Sequence, residues 1–121
     1  MKKNILVIDD DTLAQKMIVA ALEGEGYAAV ASVDFKDALQ KAHQTRPDLV
    51  LIDVVMPDIT GFEACRSVKE TFQPHPPPVI VMTGKLDAVD PILARKMGAD
   101  DFVVKTSDMA ILVQAVRKIL S

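Results

Sequence analysis

Short apolar runs rich in β-branched residues alternate five times with longer segments of helical period, and this rhythm constrains the fold more than any other feature of the chain. The candidate strands are Ile5-Leu6-Val7-Ile8, Ala28 to Val33, Leu49-Val50-Leu51-Ile52, Val79-Ile80-Val81-Met82 and Phe102-Val103-Val104. Four of these five are apolar throughout. Strands covered by helices on both faces look like that, because they have no solvated side to alternate towards. The second run, diluted with alanine and serine, is expected at a sheet edge. Regular alternation of strand and helix predicts an α/β fold.

The helices are marked by their ends. Thr12 with Gln15 reads as a capping box before an apolar stripe of Leu13, Met17 and Ala21, and Gly24 and Gly26 close that helix. The second starts at about Asp34, carries Phe35, Ala38, Leu39 and Ala42 at core spacing, and stops before Arg46-Pro47. Thr60 with Glu63 repeats the box before Cys65, Val68 and Phe72, and Pro74 ends this third helix. Asp90-Pro91 is a good cap and first-turn pair inside a fourth helix whose start is placed near Asp87, with Gly98 ending it. Ser107 opens the last, where Met109, Leu112, Val113, Val116, Ile119 and Leu120 form the clearest apolar face in the chain.

The chain has 121 residues, half of them hydrophobic. A single domain of this length buries roughly two thirds of the surface its unfolded form exposes, so it folds without a staple. Cys65, the one cysteine, has no partner for an internal disulfide, and six methionines with no tryptophan fit an ordinary core, so a cytoplasmic protein is expected. Met1-Lys2-Lys3 mimics the basic start of a signal peptide, but the apolar run behind it is short and runs into Asp9-Asp10-Asp11. No segment approaches the ~18 apolar residues of a membrane span. A net charge of −3 argues against direct nucleic-acid binding, which needs a clustered basic face. One domain without repeat or linker is expected over these residues, and Pro74-His75-Pro76-Pro77-Pro78 reads as a short polyproline-II loop.

Five βα units with short right-handed crossovers predict a doubly wound parallel sheet in the order 2-1-3-4-5, with a ligand crevice at the carboxyl ends of strands one and three. Strand one runs out into Asp9 and Asp10, strand three into Asp53, strand four into Thr83 and strand five into Lys105. Taken singly, each has a plain reading as a turn residue, a helix cap or a solvated end. Together they bring three carboxylates, a hydroxyl and an ammonium to one rim. Like charges at a low-dielectric sheet end repel, and a divalent cation resolves the conflict. Oxygen ligands without histidine or cysteine suit Mg²⁺, and the whole set suits phosphoryl chemistry, with a carboxylate as nucleophile.

These residues resemble a known family over essentially the whole chain, and residues 1–121 are similar to a receiver domain of two-component response regulators. The resemblance is carried by Ile5-Leu6-Val7-Ile8-Asp9-Asp10-Asp11, by Leu51-Ile52-Asp53-Val54-Val55-Met56-Pro57-Asp58-Ile59-Thr60-Gly61, by Val81-Met82-Thr83-Gly84 and by Gly98-Ala99-Asp100-Asp101-Phe102-Val103-Val104-Lys105. It implies a flavodoxin-like fold with five helices. It also implies that Asp53 accepts a phosphoryl group from the phosphohistidine of a sensor histidine kinase or phosphotransfer protein. Asp9, Asp10, Asp53 and the Val55 backbone carbonyl would hold Mg²⁺, and Thr83 and Lys105 would bind phosphoryl oxygens. Phe102 stands at the family's switch position, beside the alternative that it is ordinary core. The output would be read on the fourth helix, fifth strand and fifth helix by a downstream effector the sequence does not name, and a homodimer through that face is left open.

Three departures from the family pattern matter. Thr106 follows Lys105 where receivers usually carry a proline after a cis bond; a cis bond before a non-proline residue costs about 2.5–4 kcal/mol, so a trans Lys105–Thr106 peptide and a somewhat displaced start to the last helix are expected. Val55 and Lys85 occupy the positions two after the acceptor and two after the threonine. An apolar Val55 cannot orient an attacking water, so a fairly long-lived phosphoryl state is expected. No effector domain follows Lys105 before Ser121, which leaves a stand-alone receiver and a piece of a longer regulator or hybrid kinase both open. His43 and His75 read as surface residues and Cys65 as core.

Other function classes fit less well. An aspartyl-phosphate phosphatase of the haloacid-dehalogenase type places a second aspartate where this chain has Val55. A flavin protein needs a phosphate-cradling loop after strand one, where Asp9-Asp10-Asp11 would repel it. A phosphate-independent docking scaffold usually lacks a site residue, and all are present.

Overall fold

The computed structural model describes residues 2–84, 91–106 and 108–121. The strands are β1 (Asn4–Ile8), β2 (Ala28–Ser32), β3 (Leu49–Asp53), β4 (Val79–Thr83) and β5 (Asp101–Val104). The helices between and after them are α1 (Thr12–Gly24), α2 (Phe35–Thr45), α3 (Gly61–Thr71), the short α4 (Pro91–Lys96) and α5 (Ala110–Leu120). All strands pair in parallel in the order β2-β1-β3-β4-β5, so the alanine-rich β2 is an edge strand as expected.

The apolar strands β1, β3 and β4 divide their side chains between two cores. Leu6, Ile8, Val50, Ile52, Val79 and Val81 pack under α2 and α3 with Phe35, Ala38, Ala64, Cys65 and Val68. Ile5, Val7, Leu49, Leu51, Ile80 and Met82 pack under α1 and α5 with Ile18, Leu22, Leu112 and Val116. The period-two alternation of a strand thus sends every second residue to the opposite layer. Cys65 is fully buried, and burial pushes its thiol up to about 11, as suits a core residue. His43 is exposed, with its ring centroid 4.9 Å from that of Phe72, and His75 is exposed as well.

Two expectations for α1 are corrected. Asp11, not Thr12, is the N-cap, accepting from the N–H groups of Leu13 and Ala14 at 3.0 and 3.3 Å. Gln15 does not reach back to the cap. It is buried, and its amide donates to the carbonyls of Asp9 and Ser32 at 2.6 and 2.7 Å, joining the ends of β1 and β2. The buried face is accordingly Gln15, Ile18 and Leu22, while Leu13 and Met17 are exposed. α1 carries apolar residues on more than one side, so periodicity alone cannot choose, and the bonds Gln15 makes to the carbonyls at two strand ends decide.

The other caps follow the sequence more closely. Asp34 and Thr60 cap α2 and α3, Gly98 leaves α4 at a φ of 93°, and the N-cap of α5 is Met109, with Asp108 accepting from the Ala110 N–H at 2.9 Å. Ser107, Lys85, Asp87 and Asp90 lie outside the described residues. The Lys105–Thr106 peptide is trans, since the one cis bond among the described residues is Gln73–Pro74.

The corrected cap predicts a contrast. Asp11→Ala should destabilise the protein by about 1 kcal/mol and Thr12→Ala by less than about half of that, both read from urea unfolding midpoints.

Candidate functional site

Register brings the site together before any side chain is considered. Ile8 pairs with Ile52, so Asp9 and Asp53, each the next residue, stand side by side at the carboxyl ends of the two middle strands. Thr83 pairs with Val104, which places Lys105 one step beyond Thr83 on the neighbouring strand, where its N–H donates to the Thr83 carbonyl at 2.6 Å. Alternation then sends Asp9, Asp53 and Lys105 to the face covered by α1 and α5. Thr83 and Phe102 fall on the face shared with Val81.

Lys105 closes the arrangement. Its ammonium donates to Asp9 Oδ2 at 2.8 Å and to Asp53 Oδ2 at 2.9 Å. The remaining carboxylate oxygens are engaged by backbone: Asp9 Oδ1 accepts from the Asp11 N–H at 2.9 Å, and Asp53 Oδ1 from the Val55 N–H at 3.1 Å. Asp9 is wholly buried, Asp53 and Thr83 nearly so, and Asp10 is exposed at the rim. Burial raises the Asp9 carboxyl above its ordinary range, with the Asp53 charge adding to it; the bonds from Lys105 and the Asp11 amide act the other way without cancelling it. For Lys105, burial disfavours the ammonium, and the two carboxylates outweigh it, so its value is raised.

Among the described residues, one ammonium stands against three carboxylates. Ligand oxygens of Asp9, Asp10 and Asp53 lie within 4.8 Å of one another, and a divalent cation would neutralise what Lys105 leaves. The donor set is carboxylate only, which fits Mg²⁺ and not a softer metal.

The loop after Asp53 is folded tightly. Val55 and Thr60 form an antiparallel bridge, and the Gly61 N–H donates to the Val54 carbonyl at 2.8 Å. A Cβ at Gly61 would lie 2.7 Å from Val54 Cα and collide with the Asp53 carbonyl, so only glycine lets α3 start this close to β3. Val55 is 69% exposed at the mouth. Beside Lys105 an open groove of about 390 Å³ is lined by Leu13, Met17, Gly84, Thr106 and Met109 among others. Phe102 is half-buried against the core under α2 and α3.

Residues 5–117 match the family model described as the response regulator receiver domain. The chain belongs to that family. It is 37% identical over 117 residues to the DNA-binding response regulator MtrA of Mycolicibacterium smegmatis, covering 97% of this chain and 50% of that protein. The receiver therefore spans about half the length of the curated relatives it matches. Among solved structures, the BeF3-activated N-terminal receiver domain of Klebsiella pneumoniae RstA superposes with a TM-score of 0.87 at 28% identity, covering 98% of each chain. The Thermotoga maritima response regulator TrrA, in complex with Mg²⁺ and BeF, superposes at 0.86 and 27% identity, over 97% of this chain and 98% of that one. Among the described residues of the receiver, no helix is long and apolar enough to cross a membrane.

The structure gathers Asp9, Asp10, Asp53, Thr83 and Lys105 at one rim and puts Val55 and Phe102 at its margins. Sequence reasoning missed Gln15, read as a cap, and Asp58, whose carboxylate reaches α2. Gln15 is the one polar residue on the inner face of α1, a signal hidden by its capping-box spacing.

Because the fold holds the Asp9 proton more tightly than the unfolded chain does, stability is lost as pH rises from the unfolded carboxylate range through the raised value. Metal-free Asp9→Asn should therefore melt at a higher temperature than wild type at neutral pH, and the difference should close below roughly pH 4. Thermal melts in chelating buffer at the two pH values check this; a less stable variant at neutral pH would mean that the Lys105 pair outweighs burial.

Proposed function

We propose that Asp53 accepts a phosphoryl group from the phosphohistidine of a sensor histidine kinase or histidine phosphotransfer protein, and that this modification switches the face through which the domain binds its effector. The observation that carries the reading is the Lys105 ammonium bonded to both Asp9 and Asp53 at the carboxyl ends of adjacent strands. A carboxylate oxygen of Asp53 forms a bond to phosphorus as the P–N bond breaks, and its electron pair returns to the imidazole, which takes up a proton. Lys105 then passes from the Asp53 carboxylate to a phosphoryl oxygen, and the Thr83 hydroxyl donates to another. Asp9, Asp10, Asp53 and the Val55 carbonyl would hold Mg²⁺, which supplies a Lewis acid to neutralise charge on the transferring oxygens. The domain catalyses its own modification and is a signalling switch, not a turnover enzyme.

Specific parts of the structure support the remaining steps. The groove beside Lys105, with Leu13 66% exposed, offers the phosphodonor an apolar surface next to the acceptor. Thr83 and Phe102 share a sheet face, so drawing Thr83 toward the phosphoryl group frees space that Phe102 enters, shifting the population toward a second packing read out on α4, β5 and α5. Without a hydroxyl, Phe102 acts by shape alone. DNA binding belongs to the name of the MtrA relative and is not assigned to this receiver.

Incubation with acetyl phosphate and Mg²⁺ should give a single phosphoryl adduct by intact-protein mass, absent in Asp53→Asn and without metal. No adduct on folded protein would favour a phosphate-independent docking role. Val55 offers an incoming water no polar group, so the adduct should be long-lived, and Val55→Asn should shorten its lifetime when decay is followed by the same measurement.

A further inference from the structure

We infer that Asp58 is a positioning residue for the cation site: bonded to the first amides of α2, it holds the β3–α3 loop in the shape that presents Asp53 and Val55 to Mg²⁺. This rests on the reading of Asp9, Asp10 and Asp53 as that site.

A helix leaves its first four N–H groups without intrahelical partners. In α2, after the cap residue Asp34, these belong to Phe35, Lys36 and Asp37. The Asp34 carboxylate serves the innermost, Asp37, at 2.8 Å, while its carbonyl accepts the first bond of the helix from Ala38 at 3.1 Å. The outer two turn to a distant residue: Phe35 N–H donates to both carboxylate oxygens of Asp58 at 3.2 Å, and Lys36 N–H to one of them at 3.3 Å. Asp34 alone is a sufficient cap for a helix start. The second carboxylate therefore does more for the loop that carries it than for the helix it meets, and the partial positive charge of the helix terminus favours it there.

That loop is otherwise fixed at its base and on its inner side. The Val55–Thr60 bridge and the Gly61 to Val54 bond close its base, and Met56 and Ile59 anchor it in the core under α2 and α3. Pro57 and Asp58 form its exposed outer turn, where the bonds to α2 are the polar attachment. Released there, the segment from Val54 to Thr60 gains freedom, and the cost falls on binding a cation that needs the Val55 carbonyl in one place.

The test is Mg²⁺ titration by calorimetry beside metal-free thermal melts, on wild type, Asp58→Ala, Asp58→Asn and Asp34→Ala. Asp58→Ala should weaken Mg²⁺ binding about fivefold to tenfold, the loss of one or two hydrogen bonds that hold the site. Asp58→Asn, which loses the charge and keeps an acceptor, should stay within about twofold of wild type. Asp34→Ala, which weakens the same helix without touching the loop, should lower the melting temperature and leave Mg²⁺ affinity unchanged. Equal losses in Asp58→Ala and Asp58→Asn would assign the effect to charge and overturn the inference, as would an Asp58→Ala variant that melts lower with unchanged affinity. Wild type that binds no Mg²⁺ would overturn the reading of the site itself, which the variants alone cannot do.

Discussion

Two carboxylates side by side in a buried position repel each other and resist desolvation, and the Asp9–Asp53 pair exists because Lys105 stands between them. Register makes the problem unavoidable, since pairing Ile8 with Ile52 forces the next residue of each strand into proximity. The ammonium reduces it without removing it. Asp9 keeps a raised carboxyl, and among the described residues three carboxylates stand against one ammonium. On the proposed reading, such a site is one that a cation and then a phosphoryl group would complete in turn.

Holding such a rim requires that the loops around it spend little freedom on alternatives. Gln15 ties the carbonyls at the ends of β1 and β2, Asp11 caps α1 immediately beyond Asp10, and Gly61 lets α3 begin against the Asp53 carbonyl. Asp58 fastens the outer turn of the β3–α3 loop to α2. The Asp11, Gln15 and Asp58 side chains each bond backbone groups at the end of a strand or helix, so the site draws on the hydrogen-bonding capacity of the sheet's carboxyl edge.

Much of this was legible in the chain. Apolar strands without alternation identified a sheet covered on both faces, the alanines of β2 marked an edge, and the acidic, hydroxyl and ammonium groups at strand ends named the rim. The inner face of α1 was not legible. Leu13 and Met17 are as apolar as Ile18 and Leu22, and Gln15 turns inward to bond carbonyls at the ends of two different strands. Asp58 was equally hidden, for a carboxylate after a proline reads as a turn, and the amides it meets lie 23 and 22 residues earlier in the chain.

The sequence by itself determined the alternation of elements, the order of the strands and the chemistry of the rim, because periodicity and strand-end residues are local properties that a chain carries wherever it folds. Only the tertiary structure decided which face of α1 is buried, that Lys105 bridges two carboxylates instead of extending into solvent, and that Asp58 belongs to α2. These depend on contacts between segments distant in the chain, which exist only once the sheet has brought those segments together.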